Sequence, residues 1–335
     1  MIKQKERIIY LDFYKGIGII LMIMGHIGFG DLFDHFIHGF HMPIFFYISG
    51  YLYAQKDVEI ISIRSYVMRR VNTLVIPYLF WGISLFGVRC FMYEINIEPL
   101  RHLFWDNTTG LAFGCSLWFI TALLIAEITH LFIDKKVRNE YARGITILSI
   151  VIIGHLVSLQ KEMVIPFACK QAFVGVGFIY AGVMTKRKEN TELFQRIKAL
   201  KIWEKVLIGI GISCTIMLNG YVNMRINMYG IIPLFWTNAI VAAICGLYLF
   251  QYIEKYIYKF KILEVIKNIG KNSIVYLALN EFMIFIQNEY IYVWKTQNMF
   301  EKILIKLVIL VGTLMILYLC SYILNNIKKK IVLKK

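Results

Sequence analysis

The stretch LDFYKGIGIILMIMGHIGFG, Leu11–Gly30, decides the fold. Its apolar run has the length a helix needs to cross hydrocarbon, yet it holds a lysine, Lys15, and a histidine, His26. Such windows recur along nearly the whole chain of 335 residues, which is 59% hydrophobic and carries a formal net charge of +16. Soluble domains of this length do not combine those features, so the sequence reads as an all-α, polytopic membrane bundle. Ten spans are expected, near residues 11–30, 36–54, 71–94, 112–133, 144–159, 165–185, 202–219, 232–253, 272–290 and 302–325. No linker or low-complexity stretch divides them, and a single membrane domain, residues 1–335, is expected.

The basic residues follow the topology. MIKQKER, KDVEIISIRSYVMRR, DKKVRNEYAR, KRKENTELFQRIKALK, EKYIYKFKILEVIKNIGK and KKKIVLKK hold roughly 27 of the 37 Lys/Arg and alternate with poorer segments. Both termini are therefore expected in the cytoplasm. The positive charge is a topology signal that rests on anionic lipid heads, and no soluble basic domain is present to bind nucleic acid. Asp12 and Lys15 interrupt the first apolar run and no small-residue cleavage site follows, so that run reads as a retained span. The six cysteines stand singly, without a CxxC pair, and suggest neither a disulfide frame nor a zinc ribbon.

On a helix, eleven residues turn through about 1100°, which puts Lys15 and His26 on one face about 16 Å apart. Burying a charge at mid-bilayer costs about 3 kcal/mol on insertion scales, so polar groups there usually face protein or water and have a task. Each also has a plainer reading. Lys15 can snorkel or pair with Asp12, and His26 can be a hydrogen-bonded packing residue. Gly16, Gly18 and Gly25 read as small positions for close helix approach.

YLDFYKGIGIILMIMGH followed by HGFHMPIFFYISGYLY resembles the first two helices of the membrane acyltransferase 3 family, especially its fucose 4-O-acetylase-like branch. The family pattern is a basic residue, ten intervening positions and a histidine, matched by Lys15 and His26 and followed by HMPxFFxxSG. RRVNTLVIPYLFW, SLWFI, LNGYVNM and IGKNSIVYLALN resemble later family segments, so the likeness covers most of the chain. One departure concerns the helix after GKNS, where relatives often have a histidine and this chain reads LALNEF, with Asn280 and Glu281. Larger relatives append an esterase-like domain; here the membrane part is expected to act alone.

The resemblance implies transfer of an acyl group, commonly acetyl from acetyl-CoA as co-substrate, to a hydroxyl of a surface glycan or its lipid-linked precursor, in the cell membrane. No permanently bound cofactor or metal is expected. His26 is the candidate base, since a neutral imidazole can take a sugar hydroxyl's proton as it attacks a thioester. A route in which His26 is itself acylated ranks below direct transfer. Asp12 lies about 21 Å from His26 along the same helix and cannot orient it, which leaves Glu127, Asn219 and Glu281 as candidates from other spans. Glu127 is placed nearer the depth of Lys15 and is expected to balance that cation.

Arg64, Arg69 and Arg70 form a cationic mouth suited to coenzyme A phosphates, unless they only anchor the third span. Arg70 is the one assigned to function. His35, His38 and His41 recur every third residue but drift around a helix, with no completing ligand set beyond Asp31 and Asp34, so a metal is not assigned. His41 is expected to line the outer side of the His26 cavity. Trp118 reads as an interfacial anchor or a stacking platform for sugar or adenine. The rival function is a glycan or lipid flippase or exporter in which Lys15 and His26 line a path.

Overall fold

The computed structural model describes residues 8–55, 62–257, 259–290 and 298–333. The terminal basic segments on which the expected cytoplasmic termini partly rest fall partly outside these. The described residues form helices with no strand, and one isolated bridge joins Asn223 to Met228. Helix α1 runs Ile9–Ile27 and stops at Gly28, whose φ of 74° lets its amide cap the carbonyl of Met24. A short α2, Asp31–His38, follows, and α3, His41–Ala54, begins after the break at Gly39 and Phe40 with Pro43 in its first turn. Helix α4, Ile63–Arg70, passes through a π turn, Val71–Val75, into α5, Ile76–Met92. Pro77 opposes the carbonyl of Thr73 four residues back, a physical reason for the widened turn.

After α6, Glu98–Phe104, come α7, Trp118–Lys136, α8, Glu140–Leu159, and α9, Cys169–Lys188. A surface helix α10, Glu192–Ala199, leads to α11, Ile202–Leu218, and α12, Ile232–Ile257. The chain then turns by 92° between α13, Lys261–Lys271, and α14, Ser273–Tyr290, before the long α15, Met299–Leu333.

All ten stretches expected to span are carried by helix. Six helices are long and apolar enough to cross a membrane, seven if the bent pair α13–α14 counts as one span. Helices α3 and α11 have only 14 and 17 residues. Helix α7 has 19, but Glu127, Asp134, Lys135 and Lys136 leave it no long uncharged window. Exposed apolar side chains identify the lipid-facing sides: Tyr141, Ile145, Leu148, Ile152, Leu156 and Leu159 repeat every three or four residues along α8. The protein is therefore an all-helical integral membrane protein.

Close crossings hold the inner helices together. A Cβ on Gly16 would come within 2.0 Å of the Ile266 carbonyl oxygen, and one on Gly270 within 1.8 Å of that of Asp12, so α1 and α13 touch backbone to backbone. Helices α3 and α9 do the same at Gly50, against Ile179, and Gly182, against Tyr47. Small residues at such crossings supply the association that the hydrophobic effect cannot drive within lipid. The α1 crossing fixes the helix that carries His26.

Candidate functional site

The C-terminal end of α1 opens on a cavity of about 300 Å³. His26 and Gly25 line it from α1, Asp34 and His38 from α2, and His41 and Met42 from α3. Trp118 closes one wall from α7, Glu281 another from α14, and the loop between α11 and α12 lays Tyr221, Asn223, Met224 and Arg225 over it. The ring of His26 thus faces a polar chamber at the C-terminal end of α1.

Asn280 fixes this histidine. Its Nδ2 donates to the backbone carbonyls of Leu277 at 2.7 Å and Tyr276 at 3.1 Å, which can only accept. The amide orientation is thereby set, and Oδ1 faces Nδ1 of His26 at 2.5 Å. Nδ1 must carry the proton in the neutral ring, which leaves the Nε2 lone pair free. Ser116 completes the support, donating to the Leu277 carbonyl and lying 3.3 Å from Nδ2 of Asn280. Glu281 Oε1 stands 3.8 Å from Nδ1, near enough to stabilise an imidazolium.

Asn280 stands at the departure noted after GKNS, yet its part in orienting His26 was not assigned there. The available sequence signal was its place beside Glu281 in an apolar helix. Among the orienting candidates, Glu281 lines the cavity and Asn219 does another job. Asn219 donates to the Tyr229 carbonyl at 3.1 Å and accepts from the Ile231 amide at 2.9 Å, pinning the ends of the overlying loop. Asn227, with φ of 58°, and the Asn223–Met228 bridge tighten the same loop.

Glu127 requires a correction. It does not balance Lys15: it receives Arg70, with Nε 2.5 Å from Oε2 and a terminal nitrogen 2.7 Å from Oε1, and also a hydrogen bond from Ser49. The reason is geometric, since Glu127 faces α3 and α4 from α7, while Lys15 finds Asp12 one turn away on its own helix at 2.6 Å. Arg70 is mostly buried against Tyr66, whereas Arg64 and Arg69 are exposed. The three arginines therefore do not converge, and neither Lys15 nor Arg70 lines the His26 cavity.

Trp118 is only 3% exposed and stands in the cavity wall. His41 lines the cavity with Nδ1 bonded to the Ile37 carbonyl at 2.8 Å. His35 turns away to the Ile216 carbonyl of α11, while the break at Gly39 puts His41 on a separate helix from His35 and His38. Among the described residues no group of three His, Cys, Asp or Glu is arranged to hold a metal. Asp34 lies outside the spans; burial lifts its carboxyl above the usual range, against amide donors from Phe29 and Gly30 and the nearby Lys306.

Residues 8–325 match the family described as "Acyltransferase domain", the acyltransferase 3 family. The chain belongs to that family. This acyltransferase is accordingly a transferase enzyme. It is also 31% identical over 208 residues to "Nodulation protein NolL" of Sinorhizobium fredii (strain NBRC 101917 / NGR234). That match covers 56% of the acyltransferase and 52% of NolL, so the chain spans about half the length of this curated relative. Among the polar cavity residues of the acyltransferase, Asp34, His38, Tyr221, Asn223 and Arg225 had no assigned role in the sequence reading: the last three sit in a loop that periodicity does not place.

Proposed function

We propose that the protein is an O-acyltransferase of the cell membrane that moves an acyl group, acetyl in the simplest case, from acyl-CoA to a hydroxyl of a glycan or lipid-linked sugar. The observation that carries this reading is His26, held through Nδ1 by Asn280 with Nε2 directed to a polar cavity. A sugar hydroxyl hydrogen-bonded to Nε2 is activated as its oxygen attacks the thioester carbonyl. The new C–O bond forms as the hydroxyl proton passes to Nε2. Collapse of the tetrahedral intermediate breaks the C–S bond, and the imidazolium returns its proton to the departing thiolate. Glu281 stabilises the imidazolium between these steps.

Donor chemistry is assigned to the opposite end of α1, where Lys15 and the arginines of α4 meet the compartment that holds coenzyme A. Arg64 and Arg69 are exposed and suited to phosphate; Arg70 contributes by shaping the wall at Glu127.

The test uses the full-length protein in lipid nanodiscs, acetyl-CoA, and alkali-treated surface glycan from a strain lacking the gene. Thiol release should require glycan, and His26→Ala should lower kcat by on the order of a hundredfold or more at an unchanged melting temperature. Retained turnover in that variant removes His26 as the base. Glycan movement across vesicles holding the pure protein without acyl-CoA would favour a flippase instead.

A further inference from the structure

His26 is not the only imidazole of this chamber with an unengaged nitrogen. His38 Nδ1 lies 2.6 Å from the backbone carbonyl of Asp34, which can only accept, so the Nδ1 proton is fixed and Nε2 keeps its lone pair. Among the described residues nothing bonds that Nε2, and His38 lines the same cavity as His26. The two rings are neighbours across one residue: a Cβ on Gly25 would lie 3.2 Å from His38 Cε1 and 3.9 Å from its Nε2. The His38 ring therefore packs on α1 at the residue before His26, where an added Cβ would make it give by a few tenths of an ångström.

Its orientation is held from both sides. The ring of Tyr221 lies over it at 5.2 Å, tilted by 38°, and the His41 ring meets it edge-on at 4.9 Å. In their neutral forms His26, His38 and His41 all leave Nε2 as an acceptor in this cavity, and His38 is the one packed against the residue next to His26. Among the described residues no three ligands are arranged to hold a metal, and a single hydroxyl donates to only one acceptor. Two hydroxyls on adjacent carbons stand about one hydrogen-bond length apart and can engage both His26 and His38.

We propose that His38 is a positioning residue for the acceptor: it accepts the hydrogen of the hydroxyl next to the one that His26 deprotonates, so the acceptor sugar must carry two neighbouring free hydroxyls. The inference rests on the acyltransfer reading above and adds the form of the acceptor and the basis of regioselectivity. His26 removes a proton, whereas His38 only holds its hydroxyl and exchanges none. An acceptor left unpaired once the sugar has displaced water from the cavity penalises an analogue that lacks the matching group, so discrimination is expected even though each bond is modest.

The experiment is a substrate and protein double-mutant cycle in nanodiscs with acetyl-CoA as donor. The probes are methyl α-L-fucopyranoside, methyl α-D-galactopyranoside and methyl α-D-mannopyranoside, each with monodeoxy analogues lacking one hydroxyl of the diol. With the wild type, deleting the hydroxyl beside the esterified one should lower kcat/KM about tenfold. His38→Ala should lower it about tenfold on the intact diol and leave the deoxy analogue at the wild-type value, while His38→Gln, which restores an acceptor oxygen, should regain part of the loss. Multiplying effects of the two deletions, or an unaltered kcat/KM in His38→Ala, overturn the proposal while leaving the base intact, provided His26→Ala is inactive in the same assay. Turnover of these sugars that survives His26→Ala removes His26 as the base and this proposal with it, whereas no thiol release by the wild type with acetyl-CoA and either these sugars or the surface glycan overturns the acyltransfer reading and this proposal together.

Discussion

Asn280 places one amide so that it can point only one way, and through it decides which nitrogen of His26 carries a proton. Asn280→Leu removes the acceptor and frees the ring to adopt the wrong tautomer. A fall in kcat on the order of tenfold to a hundredfold is expected, with little change in the KM for glycan. Asn280→Asp keeps an acceptor at Nδ1 and should retain more activity; steady-state kinetics of the pair checks this, and equal losses would remove the tautomer argument. His26, His41, Trp118 and Glu281 were legible in the sequence because a polar or aromatic group at a fixed place in an apolar span needs a reason. Asn280 and His38 were not, because their roles depend on which carbonyls and which neighbouring helix they meet. Glu127 was misassigned for the same cause: depth along a helix says nothing about which face it presents.

Helix positions were readable where the signal was a long apolar run, as in α8, α9, α12 and α15. The short α3 and the charged α7 depend on protein partners instead of lipid, and the bend between α13 and α14 leaves no mark in hydropathy. The glycines separate these cases experimentally. Gly16→Ala forces a methyl onto the Ile266 carbonyl and should cost on the order of 2 kcal/mol or more, since a backbone contact cannot yield as a side chain does. Gly209→Ala and Gly211→Ala in α11 meet nothing within 4 Å and should stabilise slightly, by about 0.5 kcal/mol. Thermal unfolding of the purified variants gives the ordering, and a tolerated Gly16→Ala would contradict the close crossing.

Asp134 ties α7 to three other helices in a second such test. It receives Arg187 at 3.0 Å, Arg143 at 3.2 Å and the Tyr53 hydroxyl at 3.0 Å. Burial opposes its charge, but Arg187 and these other partners outweigh that and hold its carboxyl below the usual range. A carboxyl with a depressed value stabilises the fold above its unfolded value and loses that contribution as pH falls through the depressed one. Asp134→Asn should therefore cost about 2 kcal/mol at pH 7, less than a fully buried pair because Arg187 is 35% exposed. The gap to wild type should narrow in melts taken progressively below about pH 4.

Across the whole molecule the imidazole cavity lies at the opposite end of the bundle from Lys15 and the arginines of α4, and the buried Arg70–Glu127–Ser49 cluster stands on the side of those arginines. If Arg70 serves the acyl donor, it does so while saturated by Glu127, so loss of activity in Arg70→Met alone would mix folding with binding. Removing one partner strands a buried charge and should cost about 3 kcal/mol, whereas Arg70→Met with Glu127→Met removes both charges and is expected to be close to neutral for stability. The double variant isolates function from fold. We expect it to melt near the wild type and to show a KM for acetyl-CoA raised by on the order of tenfold, with the glycan KM unchanged. Wild-type donor kinetics in a stable double variant would restrict the pair to a structural joint between α4 and α7 and assign phosphate recognition to Arg64, Arg69 and Lys15.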